Sequence, residues 1–250
     1  RPFLVDEGGW LRGEVEDLNR RFNINTLLKR PPPPPTSGQR TYSSEQKQFI
    51  RLLQALGEPQ VSESDARLIT DSIIDWIDAD QQPLPQGAED DYYFGKEPPH
   101  RTPNSPMTST SELLSVAYMN PDIYRAQRPY ITVWPLEAEE FKINVHTAPA
   151  MILRTINEDE NFNPLSESEG QDLIDYRDEQ GFVDVDDFLK RPVFGTNGKT
   201  QWAKTVLQED SDHFLLRADV EVGERNMRLY SVLFQDTREV VTLVRSSGDL

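Results

Sequence analysis

Residues 214–245, FLLRADVEVGERNMRLYSVLFQDTREVVTLVR, decide how this chain is built. Phe214, Leu216, Ala218, Val220 and Val222 stand at every second position, mostly between polar neighbours. That period is the mark of a strand with one buried face. Met227 to Gln235 and Glu239 to Arg245 repeat it, with Gly223 and Asp236–Thr237 as turns. The spacing predicts a three-stranded antiparallel meander. So few strands are not stable unless something lies on their apolar face. The cover is either the middle of this chain or a helix outside it.

The middle is helical by pattern. Glu45 to Leu56 carries Phe49, Ile50, Leu52, Leu53 and Leu56 at helical spacing, and Gly57 ends it. Ser62 to Asp78 repeats this with Ala66, Ile69, Ile73, Trp76 and Ile77, and Pro83 and Pro85 forbid its continuation. A loop over Gly95–Pro106, a shorter helix over Ser109–Met119 and an extended piece over Pro129–Trp134 follow. Thr147 is the expected N-cap of a helix reaching Ile156. Ser166 and Glu169 form a capping box for one running to about Glu179, which Gly181 ends. A short helix over Asp184–Lys190 stops before Pro192. Ahead of all this, Phe3 to Leu28 reads as extended pieces punctuated by Gly8–Gly9 and Gly13. The prolines Pro31 to Pro35, continued by Thr36-Ser37-Gly38, form a stiff spacer. The class is therefore α+β: a β-rich frame from both chain ends, residues 1–40 and 206–250, with a helical domain, 41–205, inserted between them.

Composition narrows the function. A net charge of -17 opposes binding to a phosphate backbone. The lack of cysteine removes disulfides, thiol nucleophiles and cysteine-bound zinc. No apolar run approaches the roughly 18 residues of a membrane span, and there is no signal peptide. The chain begins at Arg1-Pro2 without Met, which reads as a fragment.

The acids are concentrated. Asp75, Asp78 and Asp80 sit at the expected end of a helix, and Glu89, Asp90 and Asp91 follow a proline-containing loop. Carboxylates at a helix C-terminus are unfavourable by up to about 1 kcal/mol each. From Leu68 to Gly95 there is no lysine or arginine to offset them. This points to a bound cation, and calcium suits it because it takes 6–8 hard oxygen ligands. Counted from Asp78, a twelve-residue loop places Asp80 third, Gln82 fifth and Glu89 twelfth, part of an EF-hand register. Pro83 stands where that loop needs glycine, and Tyr92-Tyr93-Phe94-Gly95 does not read as a second helix. The ion is expected without the EF-hand. The competing reading is a solvated acidic turn.

Ile143 to Pro149, Leu173 to Arg177, Gly181-Phe182 and Asp187 to Leu189 resemble helix-hairpin-helix modules of DNA-binding proteins. Here the hairpin, Asn157 to Pro164, has no glycine and three acids. Between Asn157 and Phe188 twelve acids face the single base Arg177, a surface that repels phosphate. The module is degenerate, and a protein-binding role stays open. Neither His100, His146 nor His213 sits in a ligand or triad motif, and Gly198-Lys199-Thr200 is a turn rather than a phosphate loop. Trp76 beside Asp75 and Asp78 raises a calcium-dependent polysaccharide hydrolase using the Asp75–Glu89 carboxylates as the alternative, although Trp76 also fits the apolar stripe of its helix.

Taken together, Asp75 to Asp80, Gly87-Ala88-Glu89-Asp90 with Tyr92, Phe141 to Ala148, Gly9-Trp10-Leu11 and Asp17 to Leu27 resemble general secretion pathway protein K, the large minor pseudopilins of bacterial type II secretion. The resemblance implies a pilin-like sheet frame whose N-terminal helix is truncated here, with a large inserted helical domain. It implies no enzymatic activity, and an inner-membrane anchor with the soluble domain in the periplasm. It further implies a place at the pseudopilus tip, minor pseudopilins I, J and H as partners, and contact with exported proteins. It implies calcium in the inserted domain, carried here to Asp78, Asp80, Glu89 and Asp90, then to Asp75 and Asp91.

Overall fold

The computed structural model describes residues 3–5, 9–33 and 40–248, Val5 by its backbone alone. Gly8 of the first turn and Pro34 to Gly38 of the expected spacer lie outside them. The alternating segments form one antiparallel sheet of five strands. Its members are β1 (Phe3–Val5), β2 (Gly9–Asp17), β7 (His213–Val222), β8 (Arg225–Gln235) and β9 (Val240–Ser246), in that spatial order. The meander lies where the alternation places it, and β2 adds to β7 with Val15 opposite Leu216 and Leu11 opposite Val220.

Because side chains alternate across a sheet, this register sorts them by face. One face collects Leu11, Val15, Leu216, Ala218, Val220, Met227 and Leu229. Val15 is 63 % exposed and Met227 59 %, so this apolar face is substantially open. The opposite face carries Arg12, Glu14, Arg217, Asp219 and Arg228, joined by ion pairs such as Arg217–Glu14 at 2.5 Å and Arg228–Asp219 at 2.5 Å. Further along that face His213 lies between the rings of Phe141 and Phe234.

The main buried cluster lies in the other part of the chain, between Phe22 and Leu207, while the sheet buries Val232 outside it. There β3 (Phe22–Asn23) runs into a 3-10 turn at Ile24–Leu28 that packs on α1 (Ser44–Ala55) and α2 (Glu63–Ile77). Ser43 and Gln46 cap α1 reciprocally, and Ser62 caps α2. α1 is buried nearly all round, and most of its polar side chains find partners, Gln48 Nε2 being an exception. Gln46 donates to the carbonyls of Leu27 and Lys29, and Lys47 pairs with Asp159 at 3.0 Å. After α3 (Asp90–Tyr93) and α4 (Pro121–Gln127), β4 (Ile131–Thr132) pairs with β3. β5 (Ile143–Asn144) then leads through α5 (Ala150–Leu153), α6 (Glu167–Glu179) and α7 (Val185–Leu189) to β6 (Leu207–Gln208), which pairs with β5.

Two expected helices come out differently. Ser109–Met119 is a 3-10 turn over Thr110–Ser115, closed by Ser109 and Glu112, and Tyr118 has a φ of 63° that no continuing helix allows. Thr147 caps nothing. Its hydroxyl donates to Asp17 at 2.5 Å, and α5 begins after Pro149. No helix among the described residues is long and apolar enough to cross a membrane.

The chain leaves the sheet and returns to it at one point. Leu18 N donates to His213 O at 2.9 Å. The buried Asn19 accepts from the backbone N–H groups of Asp212 and His213, and donates to Lys142 O.

Candidate metal centre

α2 stops at Asp78, whose N–H still donates to Ile74 O at 2.8 Å while its own backbone turns extended. Two Asx turns follow: Asp78 Oδ1 accepts from Asp80 N, and Asp80 Oδ1 from Gln82 N at 2.8 Å. The prolines carry the chain back along α2 so that Glu89 arrives at the start of α3. Oxygens of Asp78, Asp80 and Glu89 then lie within 4.8 Å of one another. Burial, with repulsion from Asp80, pushes the Asp78 carboxyl above its ordinary range. Burial pushes Glu89 up too, against the Thr102 hydrogen bond and with repulsion from Asp78, Asp90 and Asp80. Glu89 is 5 % exposed. Its Oε2 accepts from Thr102 Oγ1 at 3.2 Å, and its buried Oε1 has no partner. Leaving such an oxygen unpaired is unfavourable by about 1–3 kcal/mol. A hard divalent cation fits this donor set, because it satisfies the lone oxygen and cancels the repulsion together.

The other three acids are placed elsewhere. Asp75 lies fully buried under the loop, accepts from Leu84 N at 3.1 Å, and touches Gly87, where any Cβ would overlap its carboxylate. Burial first, then Glu89, Asp78 and Asp71, raise its pKa to about 7. Asp90 Oδ1 accepts from Thr102 N and Oγ1, and its Oδ2 lies 4.0 Å from Arg101. Asp91 is exposed. The six acids therefore divide between two helix ends. Asp90 and Asp91 occupy the first turn of α3, where the dipole favours them. That single helical turn stands where the sequence pattern predicts none.

Asn104 is a participant the sequence pattern does not reveal. Its Nδ2 donates to Asp80 O at 2.7 Å, its Oδ1 is buried without a partner, and its φ is 48°. It lies 24 residues from Asp80, and its only local signal is an asparagine, a residue tolerant of positive φ, within a proline-rich loop.

Catalysis finds little here. Asp75 is closed off from substrate. Trp76 is 6 % exposed and packs edge-on against Tyr93 and His100. The acidic hairpin is tied inward as well. Arg51 of α1, fully buried, donates to the carbonyls of Thr155, Glu158, Asp159 and Asn161, and Gln54 donates to Phe162 O.

A helical body on an antiparallel sheet of this kind is found in a solved secretion complex. A chain of the GspK-GspI-GspJ complex from the enterotoxigenic Escherichia coli type 2 secretion system matches all of this chain and 83 % of its own length, with a TM-score of 0.79 and 25 % identity. Models of type II secretion system protein K match residues 20–136 and 143–210. Type II secretion system protein K of Pectobacterium carotovorum subsp. carotovorum is 32 % identical over 98 % of this chain and 72 % of its own length. That of Pseudomonas aeruginosa is 32 % identical over 93 % and 63 %. The chain belongs to the type II secretion system protein K family.

Proposed function

We propose that this protein is a non-enzymatic minor pseudopilin that assembles with the I-type and J-type pseudopilins of its own secretion system, and with the H-type subunit, at the tip of the pseudopilus. Its likeness, over its whole length, to a protein solved within a K–I–J complex carries this reading. The five-stranded sheet serves as a pilin-like frame. Its open apolar face is the seat of a pilin-type N-terminal helix that anchors the protein in the inner membrane and holds the rest in the periplasm. The helical body is an insertion in that frame. We place the seam at Leu18–Asn19 and Asp212–His213, which makes the insertion larger than the 41–205 read from the sequence. Its bulk blocks further subunits and caps the fibre, where it meets exported proteins. The hairpin of Asn157 to Pro164 is a helix-hairpin-helix relic whose carbonyls are held by Arg51. Mixed at micromolar concentration, the purified protein is expected to co-elute with I-type and J-type pseudopilins. Separate elution overturns the assignment.

Calcium is the proposed ligand of Asp78, Asp80 and Glu89. Bound to the native state alone, it stabilises by mass action, by about 2.7 kcal/mol at a hundredfold excess over Kd. Calcium is expected to raise Tm and EDTA to lower it, with Asp78→Ala removing most of the difference. Equal melting in both solutions refutes the site.

A further inference from the structure

On the far side of α3 from the acids lies a cavity of about 680 Å3, lined among others by Trp76, Tyr92, Lys96, His100, Leu114 and Tyr118. We propose that this cavity docks a polypeptide segment carrying an aromatic or aliphatic side chain next to a carboxylate.

Three observations converge on it. Among the described residues outside the sheet, the exposed large apolar ones are Phe94, Leu114, Tyr118 and Val183; Leu114 and Tyr118 line this cavity, and Phe94 lies against its lining residue Arg101. Aromatic side chains with arginine at the rim are the composition of protein-binding hot spots. Second, Trp76 Nε1 and His100 Nε2 are buried without hydrogen-bond partners, and both residues line the cavity. A backbone carbonyl of a docked chain satisfies the unpaired indole N–H, whereas His100 Nδ1 donates to Pro98 O at 3.1 Å and leaves Nε2 to accept from a docked N–H. Third, Lys96 and Arg101 are the only basic residues between Leu68 and Tyr124, a span holding ten acids, and both line this cavity. Lys96 lies 4.0 Å from the Tyr92 ring centre and has no carboxylate partner among the described residues. Arg101 lies 5.1 Å from that of Phe94. The complement of two cations over aromatic rings is an acidic, apolar segment. The base is firm, because Tyr93 Oη accepts from Ala117 N at 3.0 Å and fixes the turn that presents Tyr118.

The probe is acetyl-Asp-Phe-Leu-Glu-amide, titrated into the 15N-labelled protein and read at the Trp76 indole N–H, assigned with Trp76→Phe. A saturable shift with Kd below about 1 mM is expected. Lys96→Glu and Tyr118→Ala, both at the rim, are each expected to weaken binding about tenfold with Tm unchanged. No shift at saturating peptide, equal binding by Lys96→Glu, or a response to chitotriose in place of the peptide each overturns the proposal. The readout in EDTA keeps this test separate from that of the calcium site.

Discussion

Asp75 and Arg51 are the two most consequential single residues, and both are buried ionisable groups. For Asp75 the folded pKa, about 7, lies above the ordinary 3.8. The folded state therefore holds a proton that the unfolded chain has already released. Its contribution is intact below about pH 4, and stability falls as pH rises toward 7. The whole effect amounts to up to about 4 kcal/mol. In EDTA, unfolding free energies at pH 5, 6 and 7 should decline in that order, and Asp75→Asn should flatten the trend. A wild-type protein that instead gains stability over this range contradicts the assignment. Burial likewise depresses the Arg51 guanidinium to about 10, so it remains charged at neutral pH. Arg51→Ala strands four carbonyls at once and should cost about 3–5 kcal/mol in urea unfolding. Arg51→Lys should recover only part, because an ammonium lacks the planar fork. Neither role is legible in the sequence. Asp75 reads there as one more acid at a helix end, and Arg51 as an ordinary polar position on a helix.

At the scale of elements, legibility follows the range of the interactions. α1, α2 and α6 are readable because serine caps and apolar spacing act within a few residues. α5 is misread because the Thr147 hydroxyl is taken by Asp17, 130 residues away. α3 is missed because four residues give no periodicity. The acidic loop shows the same division. The sequence identifies its carboxylates, whereas Thr102 and Asn104 come to it only through the fold. Since α3 begins beside Glu89 and ends in Tyr92 and Tyr93, it stands between the acids and the aromatic cavity. Gly87→Ala, which would drive a methyl group into the Asp75 carboxylate, is expected to displace this loop. It should lower Tm and weaken calcium binding together, and unchanged calcium affinity would separate the two.

For the whole molecule, the sheet and the helical body are stabilised differently. The body has a complete core. Of its described apolar side chains the sheet buries only Val232, outside the main cluster, and it leaves its own apolar face open. If a pilin-type helix covers that face, Val15→Asp and Val220→Asp should disrupt pairing with the other pseudopilins in the membrane-anchored protein. The core-dependent Tm of the helical body should stay within a few degrees. A collapse of that Tm would show that the two parts are not independently stabilised. The alternation of residues 214–245 makes the meander legible, whereas the proline run follows residues that already belong to the helical core, Phe22, Ile24 and Leu27. β2 is legible as an extended piece, because Arg12, Glu14 and Glu16 alternate with Leu11 and Val15, but its pairing with β7 is not, because the two strands come from opposite ends of the chain.

The crossing at Asn19 has a mechanical consequence. Both connections to the helical body leave the sheet side by side, from the end of β2 and the start of β7. Tension on the body is thus shared by two neighbouring strands pulled in the same direction. It reaches the rest of the sheet as shear along the β7–β8 ladder, over the ten paired positions from His213–Phe234 to Val222–Arg225, rather than as peeling from one edge. A load on the helical body would then be borne by many hydrogen bonds together instead of one after another.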